Sequence, residues 1–272
     1  MSAQRHPPPA EPILLRSDRD GIATLTLNRP AARNALSANL IAALARELDS
    51  IGRDRGTRVV ILAAAPSPAF CAGHDLKEVT AMRQAADAGR GGFTDLFKAC
   101  ADMMQAIVAL PQPVIAAVES IATAAGCQLV ATCDLAIAGA EAGFCTPGVH
   151  IGLFCSTPMV ALSRNVAPKH AMEMLLTGDT VPAHEALRMG LVNRVVPVGT
   201  ALSEAETLAA RIASKSGAVL AIGKRAFYEQ AQMPLAEAYA HTAAVMVENM
   251  LHADACEGIG AFVDKRKPVW SR

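Results

Sequence analysis

Phe70-Cys71-Ala72-Gly73-His74-Asp75-Leu76-Lys77-Glu78 follows a β-branched run and precedes charged, helix-forming residues. A second stretch, Ala124-Ala125-Gly126-Cys127-Gln128-Leu129, stands in the same place between a predicted strand and a predicted helix. Small residues at such turns let backbone approach either another backbone or a ligand. A helix starting there offers unpaired N–H groups and partial positive charge. Two such turns facing each other can hold one developing oxyanion. Tight packing is the alternative use of the same small residues.

Working outward, Arg58–Ala63, Pro113–Val118 and Leu135–Ala138 are short apolar runs that predict buried strands. Ile13–Arg16 and Ile22–Leu27 alternate around Asp18-Arg19-Asp20-Gly21, a hairpin pattern. Ser37 reads as the N-cap of an amphipathic helix with Leu40, Ile41, Leu44 and Leu48 on one face. Phe93–Leu110 and Ala124–Thr132 also read as helices. Pro66–Gly73 reads as a loop, and the polar, Gly/Ala-rich residues 79–92 are expected to form a mobile lid. From Thr157 onward the pattern is helical, broken near Gly178, Pro182, Gly190 and Pro197. Strands alternating with helices, then helices alone, predict an α/β core with a helical C-terminal region. The expected divisions are a disordered arm over 1–12, the core over 13–200 and the helical region over 201–272.

The 272-residue chain is 52% hydrophobic and 18% charged, with a formal net charge of zero. It has no bulk electrostatic attraction to nucleic acid or an anionic membrane, and neither partner is expected. No apolar run reads as a membrane span. The seven cysteines (71, 100, 127, 133, 145, 155 and 256) form no C-x-x-C pair. They read as reduced, mostly buried thiols, and no metal site is expected. The opening MSAQRHPPPAEP has neither a secretory core nor a transit-peptide pattern, so the cytoplasm is the expected compartment.

Several segments together resemble the enoyl-CoA hydratase/isomerase (crotonase) family. They are Leu27-Asn28-Arg29-Pro30 with Asn34-Ala35-Leu36, the 70–78 stretch, Pro113–Val118, Gly126–Leu129, Cys133-Asp134 and Gly190-Leu191-Val192, in the family's order and spacing. Ala124–Val130, Thr146–Val149, Gly152–Pro158 and the ending Lys265–Trp270 narrow the resemblance to one branch. It implies the crotonase (ClpP-like) fold, a spiral of repeated ββα turns, with C-terminal helices that make trimers, often paired into hexamers. It implies an acyl-CoA thioester as ligand, with coenzyme A part of the substrate and no separate cofactor. By position, the backbone N–H groups of His74 and Ala125 would hold the thioester oxygen. Asp75, Leu76, Lys77 and Gly126 would line the path of the ligand. Arg33, Lys224 and Phe227 would contact the nucleotide end.

Hydratases of this family use two glutamates as acid and base. The resemblance places Gln128 and Gly148 at those positions. Glutamine can hold a water but takes up no proton near neutral pH, and glycine offers no side chain. Each general acid or base is typically worth about 10²–10⁴ in rate, so hydratase activity is expected to be weak or absent. Glu78, Glu119, Asp134 and Glu141 are the nearby carboxylates by sequence, and Asp134 reads as a structural cap. Cys145, Thr146, His150, Cys155 and Ser156 surround the lost second carboxylate. They read as core residues and a helix cap, with a His150-activated nucleophile as the alternative. An acyl-CoA thioesterase, isomerase or decarboxylase, or a non-catalytic acyl-CoA binder, are the rival readings.

Overall fold

A computed structural model describes residues 11–271. The predicted arm therefore lies almost entirely outside the described residues. Its last residue, Pro12, accepts a hydrogen bond from Asn28 Nδ2 at 2.8 Å.

The hairpin forms as β1 (Leu14–Arg19) and β2 (Ile22–Leu27), antiparallel. Ser37 caps α1 (Ala38–Arg53) by accepting from Leu40 N, and Leu40, Ile41, Leu44, Leu48 and Ile51 form its buried face. There follow β3 (Val59–Ala64), β4 (Ala69–Cys71), α2 (Leu76–Met82) and α3 (Arg90–Ala109). Next come β5 (Val114–Val118), β6 (Ile121–Thr123), α4 (Ala125–Thr132), β7 (Leu135–Gly139) and β8 (Gly143–Cys145). The remainder is α5 (Pro158–Asn165), α6 (Pro168–Thr177), β9 (Val181–Pro182), α7 (Ala183–Met189), β10 (Arg194–Val196), α8 (Ala201–Ala213), α9 (Gly217–Gln230), α10 (Leu235–Leu251) and α11 (Ala253–Val263).

The strands divide between two sheets, ordered β1-β2-β3-β5-β7-β10 and β4-β6-β8-β9. Successive long strands β2, β3, β5 and β7 pair in parallel in the first sheet, and β4, β6 and β8 do so in the second. Each circuit lays down a long strand, a short strand and a helix, which is the expected ββα spiral. In the first circuit the short strand is reduced to one parallel bridge, Leu36 to His74. Burial follows the pattern: β3 and β5 are apolar on both faces because helices or the other sheet cover each side.

Three expectations need correction. The loop expected over 66–73 contains β4, and residues 79–92 are helix at both ends, over 79–82 and 90–92. Only the turn 83–89 separates α2 from α3, and there Asp87 accepts from Gly89 N and Gly91 N at 2.9 and 2.7 Å. The helical region set off at residue 201 also begins too early. α8 is a wall of the core, with Ala201, Ala205 and Ala209 fully buried against Val59, Ile61, Ile115 and Ile137 of the first sheet. Six of the seven cysteines are buried, and Cys256 is exposed. Among the described residues no helix is long and apolar enough to cross a membrane.

Candidate active site

The spiral places the turn after β4 against the turn after β6, because β4 and β6 are parallel neighbours. Two glycines lock the turns together. A Cβ on Gly126 would lie 2.2 Å from the Cys71 carbonyl oxygen and 2.8 Å from Cys71 Cβ. A Cβ on Gly73, whose φ is +79°, would lie 3.0 Å from Ala124 Cβ and 3.3 Å from Ala125 N. Gly126 is therefore a packing residue, and its expected place on the ligand path gives way to that reason. Ala124 holds φ 51°, ψ −117°, a conformation that favours glycine, and donates its own N–H to the Cys145 carbonyl at 2.9 Å. This strained residue turns the chain so that α4 starts at Ala125, at the face of Gly73.

Among the described residues, neither His74 N nor Ala125 N donates to a protein acceptor. Their neighbours are occupied: Leu36 N donates to Gly73 O, Asp75 N to Leu36 O, and Gln128 N to Ala124 O. Two free N–H groups thus remain at adjoining turns, one of them at a helix N-terminus whose eight residues are all buried. This is the arrangement that stabilises an oxygen gaining negative charge.

The His74 ring stands edge-on to Phe97 of α3, with centroids 5.3 Å apart and planes at 85°. Both ring nitrogens are buried without a hydrogen-bond partner. Burial lowers the imidazole pKa below its ordinary value, an effect the nearby Leu36 backbone partly offsets, so the ring is neutral at pH 7. Gln128, one turn into α4, is only 6% exposed, and its Oε1 also lacks a partner.

Gly148 lies in the short helical turn Pro147–Ile151 and is buried. A Cβ there would sit 2.8 Å from Leu153 O and 3.0 Å from Cys155 Sγ. The position that the resemblance gives to the second glutamate is therefore closed by the 153–155 segment as well as lacking a side chain.

The other carboxylates are committed elsewhere. Glu119 accepts from Gly199 N at 2.9 Å and Ala201 N at 2.5 Å, capping α8. Glu78 accepts from Ala38 N at 2.8 Å, at the start of α1. Glu141 is exposed. Asp134 is structural as expected, but as a cross-link: it accepts from Val114 N at 2.7 Å, Lys224 Nζ at 2.7 Å and Tyr228 OH at 2.9 Å.

Lys224 also donates to the carbonyls of Ile107 and Gln112, at 3.0 and 3.1 Å. Its three ammonium protons are all used inside the molecule, and its side chain is 7% exposed. Burial lowers its pKa while Asp134 opposes the shift. The expected phosphate contact at Lys224 is thus corrected: the residue ties α9 to the core. Asp75 caps α2 by accepting from Lys77 N, and its carboxylate pairs with Arg29 at 2.9 Å, which holds its pKa down. Leu76, Lys77 and Arg33 are exposed, and Arg33 makes no ion pair among the described residues. Phe227 is 63% exposed on α9, edge-on to Tyr228.

The nucleophile alternative is not assembled. His150 Nε2 packs over Gly178, 2.8 Å from where that residue's Cβ would be. Burial raises the Cys145 and Cys155 pKa values. Ser156 Oγ reaches only the Phe154 carbonyl, at 3.4 Å. Thr157 takes the N-cap position of α5 but makes no capping bond. Thr146 Oγ1 donates to Met174 O at 2.8 Å. Sequence reasoning missed Phe97 and the closing role of Leu153, since neither carries a motif. No group of three or more His, Cys, Asp or Glu among the described residues could hold a metal.

Comparison with known proteins bears on the fold and the family. Residues 17–272 match the family model described as enoyl-CoA hydratase/isomerase. The chain is 44% identical over 271 residues to enoyl-CoA hydratase domain-containing protein 3, mitochondrial, of Rattus norvegicus, covering 99% of this chain and 88% of that one. The crystal structure of enoyl-CoA hydratase from Mycobacterium smegmatis superposes with TM-score 0.91 at 50% identity, covering 96% of this chain and 99% of that one. The crystal structure of human enoyl-CoA hydratase domain-containing protein 3 superposes with TM-score 0.90 at 43% identity, covering 95% and 100%. The cytoplasmic expectation does not stand, because the rat relative and its Xenopus laevis and human counterparts are named as mitochondrial. Fold, paired turns and similarity over nearly the whole length give one result: the chain belongs to the enoyl-CoA hydratase/isomerase family.

Proposed function

We propose that the protein binds an acyl-CoA thioester, polarises its carbonyl between His74 N–H and Ala125 N–H, and hydrates enoyl thioesters weakly or not at all. The observation that carries the second half is at Gly148, where a Cβ would meet Leu153 O at 2.8 Å. The packed 153–155 segment leaves no room there for the second carboxylate. Gln128 keeps the shape of the first but moves no proton. The surrounding carboxylates Glu78, Glu119 and Asp134 are hydrogen-bonded to structural partners. What remains is electrostatic: two N–H groups, each worth about 10²–10³ where an oxyanion develops.

Exposed Arg33 and Lys77, at the rim of the two turns, suit the phosphates of coenzyme A. An apolar trough of about 700 Å³ between α1 and α3, bordered by Ile41, Met82, Leu96 and Met103, suits a hydrocarbon tail. Leu235, Tyr239, Val247 and Leu251 of α10 and Phe262 and Val263 of α11 are more than half exposed. Apolar surface of that extent supports a homotrimer, or a dimer of trimers, formed through these helices.

The test is to incubate the protein with enoyl-, acyl- and malonyl-type CoA thioesters and follow products by mass spectrometry. Ala125→Pro serves as control, since proline is tolerated in a helix's first turn while removing the N–H. Saturable thioester binding that weakens in the control, with little added water, is expected. Rapid hydration by the wild type would refute the reading. Free CoA or carbon dioxide would instead name a hydrolase or a decarboxylase on the same fold.

A further inference from the structure

Each of the paired N–H groups is aimed by the residue before it. Gly73 precedes His74 and Ala124 precedes Ala125. In each case the ψ angle of the first residue sets the direction of the next N–H. These two residues are also neighbours across the gap between the turns: a Cβ on Gly73 would stand 3.0 Å from the Ala124 methyl. The methyl therefore lies within van der Waals reach of the Gly73 α-carbon.

The methyl is held there against conformational preference. A φ of 51° with ψ −117° lies outside the regions open to an L-residue and suits glycine. The anchors of the turn do not call for it. Ala124 N donates to Cys145 O at 2.9 Å, Gln128 N donates to Ala124 O at 3.0 Å, and Gly126 packs on the Cys71 carbonyl. A glycine before Ala125 would keep all three. What the alanine adds is a half-buried methyl between the two donor-bearing peptides. Strained residues persist where the surroundings over-determine them, and they gather at functional sites.

We infer that Ala124 is a positioning residue: its methyl, resting on Gly73, is the spacer that fixes the separation and angle of the His74 and Ala125 N–H groups. The inference rests on the reading of these groups as the cradle of a thioester carbonyl, and it adds what sets their geometry. Donors fixed before the ligand arrives bind a shared oxygen more strongly, since neither has to reorient.

The test compares wild type with Ala124→Gly and Ala124→Ser. Each is given butyryl-CoA isotopically labelled at its thioester carbonyl. Isotope-edited infrared spectra record the C=O stretch, which falls as the oxygen accepts stronger hydrogen bonds. Calorimetry gives the affinity and thermal melts the stability. Ala124→Gly loses the spacer and relieves the backbone, so it should melt about 1–4 °C above wild type. Its affinity should nevertheless fall about three- to tenfold, and its C=O band should move back towards that of the free thioester. Ala124→Ser keeps the Cβ and should keep the wild-type band. A methyl that served packing alone would move the melting temperature and leave the band in place. An unchanged band in Ala124→Gly would overturn the inference, and so would an equal displacement in Ala124→Ser. A lower melting temperature for Ala124→Gly would remove the strain on which the inference stands. These outcomes leave the thioester reading standing. Failure of wild type to bind, or a wild-type band at the free position, would instead remove that reading, and this inference with it.

Discussion

Replacing Gly126 with alanine tests whether the two turns are one unit. The new methyl carbon would stand 2.2 Å from the Cys71 carbonyl oxygen, where ordinary contact begins at 3.4 Å. Both sides of the clash are backbone or Cβ, so no flexible side chain can yield, and the turns must part by about 1 Å. Overpacking of this kind costs about 1–3 kcal/mol, which in a chain of this size lowers the melting temperature by roughly 3–10 °C. The same displacement separates Ala125 N from His74 N. Thioester affinity should therefore fall about tenfold or more, because a shared oxygen can then satisfy only one donor. The control is Gly223→Ala on the exposed face of α9, where nothing lies within 4 Å. Alanine there should raise stability slightly, by about 0.5–1 kcal/mol, and leave affinity unchanged. Thermal melts and calorimetric titration with one CoA thioester read both effects. If Gly126→Ala melts and binds like wild type, the turns are not in contact and the paired-donor argument fails.

Other expectations follow from the same geometry. Gly148→Glu, alone or with Gln128→Glu, should lower the melting temperature and bring no gain in hydration, as followed by loss of enoyl absorbance; a gain would show that the 153–155 segment yields easily. Lys224→Met should destabilise by about 3 kcal/mol in urea titrations, since it leaves Asp134 without its cation, and should leave thioester affinity nearly unchanged; the reverse pattern would restore Lys224 as a ligand contact. The His74 pKa is depressed on folding, so the unfolded chain binds the extra proton. Stability should then fall as pH drops through the ordinary value near 6.5 towards the lowered one, and level off below it. His74→Phe should flatten that part of the urea-midpoint profile between pH 7.5 and 5; an unchanged slope would mean the ring is solvated.

The parts of this fold that write themselves into sequence are those long enough to show a period. Ser37 and its four apolar followers announce α1, and β3, β5 and β7 are readable as apolar runs. The second sheet is not, because β4, β6 and β8 are three residues each, too short for alternation to show. Residues 79–92 were half legible: their Ala, Gly and polar composition marks the turn 83–89, which Asp87 organises, and hides the helix ends on either side of it. At the site, the paired turns were legible because small residues cluster there. The roles of Lys224 and Gly148 were not. One depends on Asp134, ninety positions away; the other depends on Leu153 folding back over a glycine.

Asp134 joins segments that lie far apart along the chain: β5 through Val114, and α9 through Lys224 and Tyr228, just beyond the end of α4. Peeling the C-terminal helices away would strand a carboxylate and an ammonium that together shield one another from solvent. Detachment of that half is therefore costlier than its modest apolar contact with the core suggests. Heating should accordingly give one cooperative transition, with amide exchange in α9 and at the base of β5 protected to the same free energy.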